Sequence, residues 1–253
     1  LKNDISEHKP KDVFILPETG KNKADKLFGQ SRPIDSSTAV LWRNNRRFAE
    51  VFSRVVMDGC EIDPDDLIEQ DTSEAAMIRV MEDAHITLKK VRDVIKALQS
   101  GPRLAILGIE DQLYIDYLMP FRVILSDVIN MAKQIAEIQA MHKDDGSKPD
   151  ENEHLSRFRK SDRISPVITL VIYYGKKAWD GPTKLSDLFV DSPYKDFAAD
   201  YPMYLLDVRR MTDEQLNEFS IPLKSFFGFL KYENKNTDEL VRFVNENSDY
   251  FKD

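Results

Sequence analysis

Apolar positions along the chain follow two rhythms, one helical and one nearly continuous. Phe48, Phe52 and Val55 recur at helical spacing and Leu41 extends their stripe, which predicts a helix over 42–57, stopped by Asp58-Gly59. Residues 66–71 read as a short strand ending in an acidic turn. Leu88, Val91, Ile95 and Leu98 keep helical spacing among Lys89, Lys90, Arg92 and Lys96. That pattern predicts a helix over 74–99, closed by Ser100-Gly101-Pro102. Residues 103–112 and 166–174 are runs of the kind buried on both faces of a sheet, and 204–207 predict a third strand. A long helix is predicted from Pro120, with Ile124, Val128, Met131, Ile135 and Ile138 on its apolar face. Residues 143–163 are charged and read as a loop. Leu223, Phe226, Phe227 and Leu230, then Leu240, Phe243 and Val244, predict helices near the C-terminus.

Strands alternating with helices point to an α/β or α+β fold around a small mixed sheet. Residues 1–40 are polar and broken by Pro10, Pro17, Gly20, Gly29 and Pro33, which predicts a mobile N-terminal arm. Residues 41–253 then form a single domain, with 74–99 as a helical insertion and further helices at the end. The arm contains LPETG at 16–20, a match to a sortase sorting signal. No apolar tail follows it, so the match reads as chance. The chain starts at Leu1 rather than Met, which suggests a trimmed or incomplete chain.

Composition narrows the function classes. The 253 residues are 42% hydrophobic and 32% charged, enough for a core without disulfides or structural metals. The apolar runs are too short for a transmembrane helix, and no signal-peptide pattern is present, so the expectation is a cytoplasmic protein without a membrane partner. The single Cys60 excludes an intrachain disulfide and a cysteine zinc site; the four histidines lie too far apart in sequence to suggest a metal cage. Glycine-rich nucleotide loops, GxSxG and HExxH are absent, so no nucleotide cofactor is expected. A net charge of −8 argues against non-specific nucleic-acid binding. Local basic groups run the other way: Arg43, Arg46 and Arg47 in one stretch, and Arg157, Arg159, Lys160 and Arg163 in another.

One constellation carries chemistry. Strand alternation places Glu110 and Gln112 on one face with Leu104, Ile106 and Gly108. Gly108 leaves space beside Glu110 for a ligand or a close backbone approach. Asp71 ends the preceding strand candidate, and pairing of the two strands would bring the carboxylates together. Two carboxylates about 4 Å apart repel by roughly 4 kcal/mol at an effective dielectric near 20, so such a pair requires a proton, a cationic side chain or a divalent ion. All-oxygen ligands suit Mg²⁺ better than zinc. The ordinary alternative is a solvated carboxylate at a strand end.

The blocks LGIEDQ at 107–112, IDYLMP at 115–120, Arg122 and KQI at 133–135 resemble the bacterial recombination-promoting nuclease and putative transposase family. So do FAEVF at 48–52, Asp65-Asp66-Leu67 through Asp71-Thr72, PVITLVIY at 166–173 and WDGP at 179–182. The resemblance covers roughly 42–235 and implies a PD-(D/E)XK nuclease core: a helix, a mixed four-stranded sheet, and a helix across it. It assigns catalytic roles to Glu50, Asp71, Glu110 and Gln112, and metal ligation to Asp71, Glu110 and the backbone carbonyl of Asp111. The Asp111 side chain is expected on the opposite face. Lys133 and Gln134 would flank the phosphate. DNA contact also needs local positive charge, which Arg43, Arg46, Arg47, Arg157, Arg159 and Lys160 would supply; the alternative for each cluster is an ordinary solvated face. The implied cofactor is Mg²⁺, with Mn²⁺ or Ca²⁺ as substitutes. The implied setting is the bacterial nucleoid, as a possible homodimer. Gln112 stands where the wider superfamily has Lys and cannot supply its charge, so slow, metal-dependent cleavage is expected. Two other readings stay open: a catalytically inactive nuclease-fold module that binds DNA or a partner, and a regulatory oligomer built on the aromatic C-terminal helices. Trp42, Trp179 and the Phe226, Phe227 and Phe229 cluster read as core or interface before base stacking.

Overall fold

A computed structural model of the chain describes residues 33–70, 92–99, 103–144, 150–233 and 237–248. All of them belong to one compact unit spanning 33–253. Residues 1–32 with LPETG, and residues 71–91 with Asp71, lie outside the described residues.

Helix α1 spans Pro33–Arg43, so residues 33–40, assigned above to the arm, belong to the fold. Asn44 is extended (ψ 116°) and its side chain accepts the Arg47 N–H at 3.2 Å, which caps a second helix, α2, over Asn45–Val55. The single helix predicted over 42–57 is therefore two, broken at a capping asparagine. Phe48, Val51 and Phe52 bury one face of α2, the two rings stacking 4.9 Å apart.

The sheet has five strands in sequence order: β1 (Leu67–Glu69), β2 (Val94–Gln99), β3 (Arg103–Gln112), β4 (Val167–Tyr173) and β5 (Tyr204–Asp207). The first three are antiparallel to one another; β3, β4 and β5 run parallel. Two expectations change here. Residues 94–99 form a strand, not the end of a helix. Also β1 does not pair with β3, because β2 lies between them. The strand was hidden by Lys96, a buried lysine in the middle of it. Its ammonium donates to the Arg43 carbonyl at 2.6 Å and to Asn45 Oδ1 at 2.5 Å, over the Phe48 ring. Burial pushes the Lys96 pKa down, and Glu69, its partner across the ladder, pulls it back up.

Each face of the sheet has its own cover. On one face Val94, Leu107, Ile109, Leu170 and Ile172 pack with Trp42, Phe48, Phe52, Leu223 and Phe227. On the other, Ile95, Ile106 and Val167 meet Met131, while Val171 packs with Met119 and Val123. The second cover is the long helix α3, Met119–Asp144. A short helix, α4 (Glu151–Ser156), occupies part of the predicted 143–163 loop, closed by a reciprocal capping box between Asp150 and Glu153. After β5 come α5 (Asp213–Asn217), α6 (Ile221–Tyr232) and α7 (Thr237–Glu246). Gly228 lets α7 approach α6, since a Cβ there would run into the Phe243 ring. Among the described residues no helix is long and apolar enough to cross a membrane.

Candidate functional site at the ends of β2 and β3

The last residues of β3 divide between the two faces. Glu110 and Gln112 face α3. Glu110 is 6% exposed, and its Oε1 accepts two hydrogen bonds: from Gln112 Nε2 at 3.0 Å and from Arg122 Nη2 at 2.6 Å. Arg122, on the first turns of α3, also gives Nη1 to Asp116 Oδ2 at 2.8 Å. Asp116 in turn begins the helix: its Oδ1 accepts the Leu118 N–H at 2.9 Å and its carbonyl the Met119 N–H at 3.1 Å. The guanidinium is thus forked between a buried and a half-exposed carboxylate. Burial pushes the Glu110 pKa up to about 8, against the pull of Arg122; Asp93 pushes it further up.

Asp93 comes from the neighbouring chain segment, immediately before β2. Its N–H donates to the Ile109 carbonyl at 3.1 Å and its Oδ2 accepts the Asp111 N–H at 2.9 Å. The antiparallel register therefore sets Asp93 beside the end of β3. Arg92, one residue earlier, runs across Gly108: a Cβ on that glycine would come within 2.6 Å of Arg92 Cδ. The space expected beside Glu110 is filled by this side chain. Its guanidinium forms a fully buried ion pair with Asp127 of α3. Thr169 Oγ1 (2.7 Å) and the Tyr201 hydroxyl complete the carboxylate's partners.

Asp111 points the other way, as alternation requires. Its Oδ1 accepts from the Tyr174 hydroxyl at 2.8 Å and from Trp42 Nε1 at 3.0 Å, inside the aromatic core. Burial, and then Asp93, raise its pKa to about 7. Trp42 is core, and Trp179 packs edge-on against Tyr173 with its indole N–H on the Gly181 carbonyl.

The other residues singled out from sequence are placed elsewhere. Glu50 does not meet Glu110. It lies on α2, which covers the opposite face of the sheet, and its carboxylate accepts the Ser220 N–H and Oγ–H ahead of α6. An acid at a helix N-terminus is a stabilising arrangement. The Gln134 amide is engaged with Ser165, accepting its N–H at 2.7 Å and donating to its carbonyl at 3.0 Å. Lys133 and Gln134 sit roughly 16–18 Å along α3 from Arg122 at 1.5 Å per residue, so they do not flank Glu110. Arg43 lies 3.8 Å from Glu69, and Arg46 is exposed on the first turn of α2, with Arg47 half-buried. Arg157 takes a left-handed conformation (φ 54°) at the end of α4. The Arg159 and Lys160 N–H groups are held by Asp162 and Glu153. Among the described residues no three His, Cys, Asp or Glu side chains gather as a metal site.

Two residues of the cluster escaped selection from sequence. Asp93 was hidden inside the supposed helix, although Ser100-Gly101-Pro102 between two apolar runs is also a hairpin signal. Arg122 lies within the resembling blocks without an assigned role, because its twelve-residue separation from Glu110 is bridged only by the turn into α3.

An α/β protein with a carboxylate and an amide side by side at the end of its central strand is the class that fold and site define. The family described as "Putative transposase, YhgA-like" matches residues 104–251, and the chain belongs to it. The matched segment contains Glu110, Asp111, Gln112 and Arg122 and begins after Asp93. Searches of the curated proteins and of the solved structures each found no match.

Proposed function

We propose that this chain is a metal-dependent DNA endonuclease of the PD-(D/E)XK type, acting in recombination or on mobile elements. The observation that supports it most is the placement of Asp93 beside the end of β3, where its Oδ2 accepts the Asp111 N–H and its charge acts on Glu110, whose Oε1 is bonded to Gln112. The donor chemistry fits a hard divalent ion: carboxylate oxygens from Asp93 and Glu110, the Asp111 carbonyl, and water for the remaining positions. The raised Glu110 pKa beside a second acid marks a place where added positive charge is favourable. When bound, Mg²⁺ would lower the pKa of an attacking water and offset charge on the scissile phosphate. Gln112 would orient that water with its amide oxygen and reach a phosphate oxygen with its N–H. Asp93 takes the place that the resemblance gave to Asp71, and Glu50 serves as a structural cap.

Supercoiled-plasmid cleavage with Mg²⁺ tests this. Wild type should cut, and Glu110→Gln and Asp93→Asn should each cut at least about a hundredfold more slowly. Asp71→Asn discriminates between the two aspartates: loss there with Asp93→Asn unaffected returns the role to Asp71. Equal cutting by wild type and Glu110→Gln overturns the assignment. The non-catalytic binding module is favoured by one observation, the Arg122 guanidinium already seated on Glu110. Calorimetry showing no Mg²⁺, Mn²⁺ or Ca²⁺ binding at millimolar concentration would select it.

A further inference from the structure

Gln112 leaves the site short of one positive charge. An amide can orient groups, but it does not offset the charge that builds on a phosphate oxygen. Two cations pull on Glu110, Arg122 first and Arg92 after it. Arg92 is not available, since its guanidinium is buried and locked to Asp127. Arg122 differs in three ways. Its side chain is 29% exposed, against 8% for Glu110, so it is the member of the pair that a polyanion can reach. It bonds the same Glu110 oxygen as Gln112, which places it at the centre of the cluster. Its second anchor, Asp116, keeps the guanidinium in position if the Glu110 contact opens.

We infer that Arg122 is a catalytic residue of this site. In the free protein it is hydrogen-bonded to Glu110; were a divalent ion to take that carboxylate, the guanidinium would stay on its Asp116 tether and bind a non-bridging oxygen of the phosphodiester. This rests on the endonuclease reading above and adds the residue that replaces the missing lysine from another element. Arginine suits the task, because its planar fork stays charged at every relevant pH and matches phosphate geometry.

The test uses the full chain in four forms: wild type, Arg122→Gln, Arg122→Lys and Asp116→Asn, each with a recorded thermal melt. Mn²⁺ is titrated calorimetrically without DNA, and plasmid cleavage is then followed at saturating Mn²⁺. Removing a cation that competes for Glu110 should tighten Mn²⁺ binding about tenfold in Arg122→Gln. Cleavage by that variant should fall at least about a hundredfold, in kcat rather than KM. Arg122→Lys should recover part of both changes. Asp116→Asn keeps the guanidinium but loosens it, so kcat should drop with Mn²⁺ affinity little changed; this variant carries the test if Arg122→Gln does not fold. Unchanged or weaker Mn²⁺ binding in Arg122→Gln, or unchanged cleavage in Arg122→Gln or Asp116→Asn, overturns the role of Arg122 while the wild type still cuts. A wild type that neither binds Mn²⁺ nor cuts overturns the endonuclease reading itself, and the inference with it.

Discussion

Glu110 and Asp111 are consecutive, equally buried, and both have pKa values raised by burial, yet their surroundings differ in kind. Glu110 is held by a charged group that reaches solvent. Asp111 is held by a phenol and an indole inside an aromatic core. A solvent-reaching ion pair can be exchanged for a ligand at modest cost. A network of neutral donors among packed rings opens only if the core opens. Burial alone therefore does not mark a working carboxylate; the nature of its partner does. Arg92 and Arg122 repeat the contrast among the cations, one locked and one exchangeable.

The largest effect should come from the locked ion pair. Asp127→Ala leaves Arg92 as an uncompensated buried charge and should cost about 3–5 kcal/mol in urea unfolding. Arg122→Gln should cost about 1 kcal/mol or less, as a partly exposed pair does. Equal losses would erase the distinction between the two arginines.

Next comes pH. Between the unfolded and folded pKa values of a buried carboxyl, the folded chain keeps a proton that the unfolded chain has released. The stabilising contribution of Glu110 and Asp111 is complete below about pH 4 and disappears as pH rises through about 7 for Asp111 and about 8 for Glu110. The metal-free protein should therefore melt several degrees lower at pH 8.5 than at pH 6. Glu110→Gln and Asp111→Asn should each flatten the slope. A slope unchanged in both variants would place the titrating groups elsewhere.

Trp42→Phe keeps most of the ring and removes the N–H that reaches Asp111. It should cost about 1–3 kcal/mol and leave cleavage within a few-fold of wild type. The smallest effect belongs to Glu50→Gln, about 0.5–1 kcal/mol from a weakened cap at Ser220, again with cleavage retained. A cleavage-dead Glu50→Gln would contradict its placement across the sheet.

Much of the frame was legible because apolar runs and turn residues agreed. Strands β3, β4 and β5, the long helix and the C-terminal helices all lie where periodicity put them. The failures have one physical source, polar residues whose partners are distant in sequence. Lys96 looks like a helix surface until the Arg43 carbonyl and Asn45 are brought beside it. Asn44 looks like part of a helix until its side chain turns back to cap the next one. The site was half legible for the same reason. Alternation on one strand was enough for Glu110, Gln112 and the opposite-facing Asp111. Asp93 needed the register of a neighbouring strand, and Arg122 needed the fold of the turn into α3.

Strand β3 is the seam where the sheet changes from antiparallel to parallel. Because of that switch, the entry to β2 and the exits of β3 and β4 open on the same margin. The segments around 92–93, 113–118 and 174–182 therefore border one rim, while the strands that anchor them are sealed between two covers. Substitutions along that rim can alter what the molecule grips without loosening what keeps it folded. A lineage carrying this scaffold can vary that border and leave the interior untouched.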